Sequence, residues 1–159
     1  MSNNQNQLYR AREYAFLLLK FRLRSEKEIY ARLKNKKFPE EIIKETISFL
    51  KEKRFIDDEV FAKSWIDSRL KRPLGLGRIE QELKTKGIDK EIIELELARI
   101  KKDYPEEEII KQIVQDKFAK LNDVEPHKAK RRLYAYLLRR GFSSESVGDI
   151  ISQTWKQMP

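Results

Sequence analysis

An apolar pattern in this chain of 159 residues returns on itself, and that self-similarity limits the fold more than any other feature. Ile29, Leu33, Phe38, Ile42 and Ile43 match Ile79, Leu83, Ile88, Ile92 and Ile93 at a shift of 50. Leu133, Leu137, Gly141, Phe142, Ser143 and Val147 then fall on Ile79, Leu83, Gly87, Ile88, Asp89 and Ile93 at a further shift of 54. A period of about fifty residues marks a series of small supersecondary units that lean on their neighbours for burial.

Helical spacing fills the units. Ala11, Tyr14, Ala15, Leu18 and Leu19 follow the i, i+3, i+4, i+7, i+8 stripe; Ile43, Thr46, Ile47 and Leu50 repeat most of it, and Ile110, Ile113, Val114 and Phe118 make another. No alternating strand pattern appears. Ser25, with Glu28 three residues on, has the capping-box spacing; Asp89 and Ser143 are N-cap residues by type, Pro39 suits a first turn, and Pro105 and Pro126 each open a helix. Pro73, Gly75 and Gly77 break the chain after Arg72.

Each unit therefore reads as an amphipathic helix, a short basic second helix, a tight turn and a closing third helix. The expected fold is all-α: three tandem three-helix repeats, at 1–54, 55–104 and 105–159, forming an elongated, curved helical array. Phe61 and Trp65 are expected core anchors of the second repeat. In the turns, Gly87 and Gly141 can take the left-handed conformation that ends a helix. Lys37 stands at the matching place in the first repeat, so there either Asn35 supplies the left-handed residue or the turn differs in shape.

Chemistry-bearing residues are few. There is no cysteine and one histidine, His127, so neither a thiolate nor a histidine metal cluster is available. His127 reads as a solvated surface residue in the first turn of a basic helix. Gly75-Leu76-Gly77 lacks the rest of a dinucleotide fingerprint. Asp57, Asp58 and Glu59, and likewise Glu106 to Glu108, are explained by the preference of helix N-termini for acids. No catalytic residue, metal or cofactor is expected. A polar N-terminus and a longest apolar run of six residues, Tyr14 to Leu19, predict a soluble, cytoplasmic protein with no membrane contact.

Charge is the remaining signal. Lys and Arg number 35 against 26 Asp and Glu, a net +9, and the cations cluster on the second helices. Lys128, Lys130, Arg131, Arg132, Arg139 and Arg140 crowd one short segment without an acid; Arg69, Lys71, Arg72, Arg78, Lys84 and Lys86 occupy the second repeat, and Arg32, Lys34, Lys36 and Lys37 the first. The recurrence predicts a basic stripe facing phosphates or an acidic protein surface; the alternative is a solubilising face. Six phosphate contacts from the third repeat would lose roughly 10³-fold in affinity between 50 and 200 mM salt. Tyr134 and Tyr136 interleave with these cations, and core packing accounts for at least Tyr136.

These residues together resemble the RecX family, regulators of the RecA recombinase. The resemblance runs from about Tyr9 to Trp155. It is most specific where Asp57, Asp58, Phe61, Ala62, Trp65 and Arg69 are followed by Gly75, Arg78, Ile79, Glu82, Leu83, Lys86, Gly87 and Ile88. Arg24-Ser25-Glu26 with Leu33 and Phe38, and Leu137 to Phe142, support it; Lys37 departs from the usual glycine. The resemblance implies three tandem three-helix repeats and a monomer acting in DNA repair, recombination and the SOS response. Such a protein would bind RecA filaments along their groove, limit their growth and suppress recombinase and coprotease activity by stoichiometric binding, with weak binding to single- or double-stranded DNA. A sequence-nonspecific DNA or RNA binder with helix-turn-helix-like units, and a structural adaptor, are the competing readings.

Overall fold

The computed structural model describes residues 3–121 and 123–157, and among these it contains nine α-helices and no strand. They are α1 (Asn3–Phe21), α2 (Glu26–Asn35), α3 (Glu40–Glu52), α4 (Asp58–Leu70), α5 (Leu76–Thr85), α6 (Lys90–Lys101), α7 (Glu106–Phe118), α8 (Pro126–Arg139) and α9 (Ser144–Gln157). The caps explain the boundaries. The Ser25 side chain accepts from the Glu28 amide while the Glu28 carboxylate accepts from the Ser25 amide, the reciprocal capping box the spacing predicts. Asp57 caps α4 through the amides of Glu59 and Val60, and Ser143 caps α9 through the amide of Ser146. Pro126 takes the first position of α8; Pro39 and Pro105 sit one residue earlier than a first turn, as N-caps of α3 and α7.

Two compact units emerge. One comprises residues 1–65 with 83–96, the other 66–82 with 97–159, so each of α4, α5 and α6 contributes to both. In the first unit α1, α2 and α3 pack on one another around Ala11, Ala15, Leu18, Ile29, Leu33, Ile43 and Leu50. In the second, α7, α8 and α9 close around Ile110, Val114, Leu133, Leu137, Phe142, Val147 and Ile150. Each of the Leu, Ile, Val and Phe side chains among these stabilises its bundle by roughly 1.5–3 kcal/mol when removed from water, and each alanine methyl by less. Phe61 is buried at 3% exposure, as expected of an anchor. Trp65 is only half-buried: its ring stacks on Phe61 at 5.7 Å and lies under the Lys86 ammonium at 4.8 Å. An indole shared between a core ring and a cation has no need of full burial.

The three turns after the second helices are alike. The amides of Phe38, Ile88 and Phe142 reach the carbonyls of Leu33, Leu83 and Leu137 at 3.3, 3.1 and 3.3 Å. Lys37, Gly87 and Gly141 hold the left-handed position with φ of 62°, 78° and 87°. Both expectations for the first turn are thus corrected: the left-handed residue is Lys37 itself, not Asn35, and the turn keeps its shape.

Each unit also contains a junction at which the start of one second helix meets the end of the next. In the first unit the buried Ser25 hydroxyl donates to the Lys86 carbonyl at 2.7 Å, and a Cβ on Gly87 would stand 2.6 Å from Lys27 Cβ. In the second unit the Gly75 amide donates to the Arg140 carbonyl at 2.8 Å and the Gly77 amide to the Gly141 carbonyl at 3.1 Å. Ser25 and Gly75 are repeat equivalents at the shift of 50, and Lys86 and Arg140 at the shift of 54, so the same acceptor is served twice by different donors.

Candidate functional site

The fold sorts the twelve cations of the expected stripe. Arg69 and Arg78 both bind Glu82, one on each carboxylate oxygen. Lys86 Nζ lies 2.7 Å from Glu28 Oε1 as well as over Trp65. Lys130 Nζ lies 5.3 Å from the Trp155 ring centroid. Arg140, which terminates α8, donates from Nε to the Pro73 carbonyl at 2.9 Å and lies over Tyr136. Arg69, Arg78, Lys86, Lys130 and Arg140 thereby serve internal contacts, and Lys84 also has a partner within the protein. Lys71, Arg72 and Lys84 are exposed at the end of α4 and on α5.

Glu28 is the centre of the first-unit junction. Burial would raise its pKa, but hydrogen bonds from Arg22, Lys86 and the Ser25 amide outweigh that and hold it at about 2. Arg22 grips it in bidentate fashion at 2.8 and 3.1 Å. Nearby Asp58 accepts from the Glu26 amide at 2.9 Å; burial pushes its carboxyl above the ordinary value despite that bond. Both acids act as structural caps and ties.

The cations that the fold does bring together are Lys128, Arg131, Arg132 and Arg139. Lys128, Arg132, Ala135 and Arg139 follow spacings of four, three and four residues, one face of α8, while Ala129, Leu133 and Leu137 point into the core on the other. With Arg131 they line a cavity of about 430 Å³. A second cavity of about 330 Å³ shares Arg132 and Arg139 and adds Lys117, Lys120, Leu121, Leu133 and Tyr136. No carboxylate lines either one. Lys117 and Lys120, at the end of α7 and just beyond it, are absent from the expected stripe. Their place in the sequence resembles the ordinary preference of helix C-termini for cations, so only the packing of α7 against α8 reveals them. Tyr136 packs on the third-repeat core as expected, with Lys117 Nζ 4.0 Å from its ring centroid.

His127 is exposed in the first turn of α8, where its amide is capped by Glu125. Among the described residues no group of three or more His, Cys, Asp or Glu side chains is arranged to hold a metal, and no helix is long and apolar enough to cross a membrane.

Three-helix domains in tandem, with a cationic, carboxylate-free face on the second helix of the last, define the class: an all-α protein of repeated three-helix domains. The models of the first, second and third three-helix domains of RecX match residues 11–50, 57–97 and 105–151. The chain is 33% identical to the regulatory protein RecX of Haemophilus influenzae strain PittEE over 141 residues, which covers 88% of this chain and 91% of that protein. It is 34% identical to the regulatory protein RecX of Caldanaerobacter subterraneus over 144 residues, covering 91% and 70% of the two chains. Its fold matches the crystal structure of RecX from Lactobacillus salivarius with a TM-score of 0.79 at 23% identity, over 94% of this chain and 97% of that one. The chain belongs to the RecX family.

Proposed function

We propose that this protein is a stoichiometric, non-enzymatic regulator that binds RecA filaments on DNA and restrains recombinase and coprotease activity, working as a cytoplasmic monomer. The observation that carries the reading is the face of α8 on which Lys128, Arg131, Arg132 and Arg139 stand together without a carboxylate. Such a face suits a filament assembled on a polyanion, and membership of the RecX family supports RecA as the protein of that filament. Single- or double-stranded DNA alone would be held weakly by the same face. Lys71, Arg72 and Lys84 are proposed as further contacts to RecA or DNA, whereas Arg69, Arg78, Lys86, Lys130 and Arg140 contribute through the stability of the fold. The repeats are proposed to run 1–54, 55–104 and 105–159, the outer bounds lying outside the described residues.

Titration against RecA-driven ATP hydrolysis on single-stranded DNA tests this. Inhibition should saturate at a fixed ratio of protein to RecA, and joint replacement of Arg131, Arg132 and Arg139 by Ala should abolish it. Undiminished inhibition by the triple variant would reduce this face to a solubilising one. The cationic face by itself also favours a second reading, a nonspecific nucleic-acid binder; cosedimentation with naked polynucleotide as strong as with RecA filaments would establish that reading instead.

A further inference from the structure

The two cavities that share Arg132 and Arg139 differ in chemistry, and the difference separates their ligands. The larger is walled by Lys128, Arg131, Arg132 and Arg139 around the single methyl of Ala135, so apart from the cations' own aliphatic stems it offers no larger apolar side chain as a floor. The smaller has an aliphatic floor, Leu121 above the buried Leu133, continuous with the third-repeat core; Lys117, Lys120, Arg132 and Arg139 stand around it. At about 330 Å³ it lies at the low end of ligand-sized cavities, roughly 300–1,000 Å³, so it has room for one anchor side chain.

Bases of a single strand bind by stacking on aromatic faces. The one aromatic ring lining this cavity, Tyr136, already carries Lys117 at 4.0 Å and Arg140 at 5.4 Å from its centroid. A base would compete with those cations, whereas an aliphatic side chain can use the leucine floor without displacing them. Four cations with no carboxylate among them then select the neighbours of that anchor, which must be acidic.

We infer that the α7–α8 socket binds an acidic peptide segment through one aliphatic anchor residue, while the adjoining Lys128–Arg131 face takes polynucleotide phosphate. This deepens the proposed function, on which it rests, by naming the kind of segment the protein partner presents. Arg132 and Arg139, shared by both cavities, couple the two ligands: each occupant neutralises cations the other uses.

Fluorescence anisotropy on the full chain tests the assignment with three probes: a short synthetic peptide with one leucine flanked on both sides by aspartate and glutamate, the same peptide with alanine for leucine, and a labelled oligothymidylate. The leucine peptide should bind and the alanine peptide should bind at least about tenfold more weakly. Joint Lys117→Glu and Lys120→Glu should weaken the leucine peptide by about tenfold or more, and Arg131→Glu should weaken the oligothymidylate more than the peptide. Equal affinity for the two peptides, no binding of the leucine peptide at low salt, or a leucine peptide indifferent to the Lys117/Lys120 reversal would each overturn the inference. The two-peptide comparison uses the unaltered protein and so does not depend on any variant folding. Failure of the wider reading looks different: peptide binding intact, with no effect of the protein on RecA-driven ATP hydrolysis.

Discussion

Gly141→Ala, Gly87→Ala and Lys37→Gly probe one turn in three settings, and the structure orders their effects. An L-residue at a left-handed position costs roughly 1–2 kcal/mol in each case. At Gly141 a Cβ would lie 2.7 Å from Arg78 Cα and closer still to that residue's nitrogen and Cβ. Backbone cannot swing aside as a side chain can, so the start of α5 must lift away. Lifting loses the Gly75–Arg140 and Gly77–Gly141 hydrogen bonds, each contributing about 1 kcal/mol. The total for Gly141→Ala is about 3–4 kcal/mol. At Gly87 the obstacle is the Lys27 side chain: a rotamer change moves its Cδ and Cγ aside but not its Cβ, 2.6 Å away, so the start of α2 must also shift by a few tenths of an ångström. Gly87→Ala should then cost about 2–3 kcal/mol, still less than Gly141→Ala because no docked backbone hydrogen bond need be lost. Lys37 already bears the left-handed strain, so Lys37→Gly should stabilise by about 0.5 kcal/mol once the greater freedom of unfolded glycine is set against the relief. Urea unfolding followed by the fluorescence of Trp65 and Trp155 gives the three values. If Gly141→Ala costs no more than Gly87→Ala, the docked backbone is not what the glycine accommodates, and the junction argument fails.

Other outcomes follow from single groups. Glu28 is held at about 2 against an ordinary 4.5, so its contribution is complete above pH 4.5 and is lost as pH falls towards 2. That difference corresponds to about 3 kcal/mol, which screening at a site 14% exposed lowers to about 2. Glu28→Gln should lower stability at neutral pH and flatten the acid limb of a pH-stability curve; an unchanged acid limb would contradict the clasp. Thr46 is fully buried with a hydroxyl that has no hydrogen-bond partner, so Thr46→Val should raise the unfolding free energy by about 1 kcal/mol, read as a higher urea midpoint, and a loss would show that the hydroxyl is satisfied. Four phosphate contacts from α8 instead of six should make duplex binding fall about 10²-fold between 50 and 200 mM salt; a 10³-fold fall would return Lys130 and Arg140 to the binding face.

The fold was legible because its determinants are local and repeated. Ser25 with Glu28, Asp57, Ser143 and Pro126 announce helix starts within four residues of themselves, and the apolar stripes define the buried faces. The turn at Lys37 was not, because residue preference points to glycine while the packing of Phe38 behind Leu33 enforces the same backbone on a lysine. Trp65 misled for a related reason: apolar spacing marks it as core, and only the three-dimensional position of Lys86 shows that its outer face meets a cation. The candidate site was half legible. Density of cations on α8 can be read from the chain, but their partners cannot: Arg69 finds Glu82 13 residues away and Lys86 finds Glu28 at a separation of 58.

This sorting changes how the basic surface has to be tested. A stripe defined by sequence alone invites removal of all twelve cations at once, yet Arg140→Ala takes away the bond to the Pro73 carbonyl beside the glycine junction. Arg69→Ala removes one of the cations paired with Glu82, and Lys86→Ala leaves Glu28 to Arg22 and the Ser25 amide. Loss of binding in such variants would report a loosened junction as readily as a lost contact. Lys128, Arg131, Arg132 and Arg139 do not carry that ambiguity, because the face they occupy is opposite the buried one and α8 is held by Ala129, Leu133 and Leu137. The charge that builds the repeat joints and the charge proposed to meet a partner are therefore separable residue by residue, and only the second set should shift binding without shifting the urea midpoint.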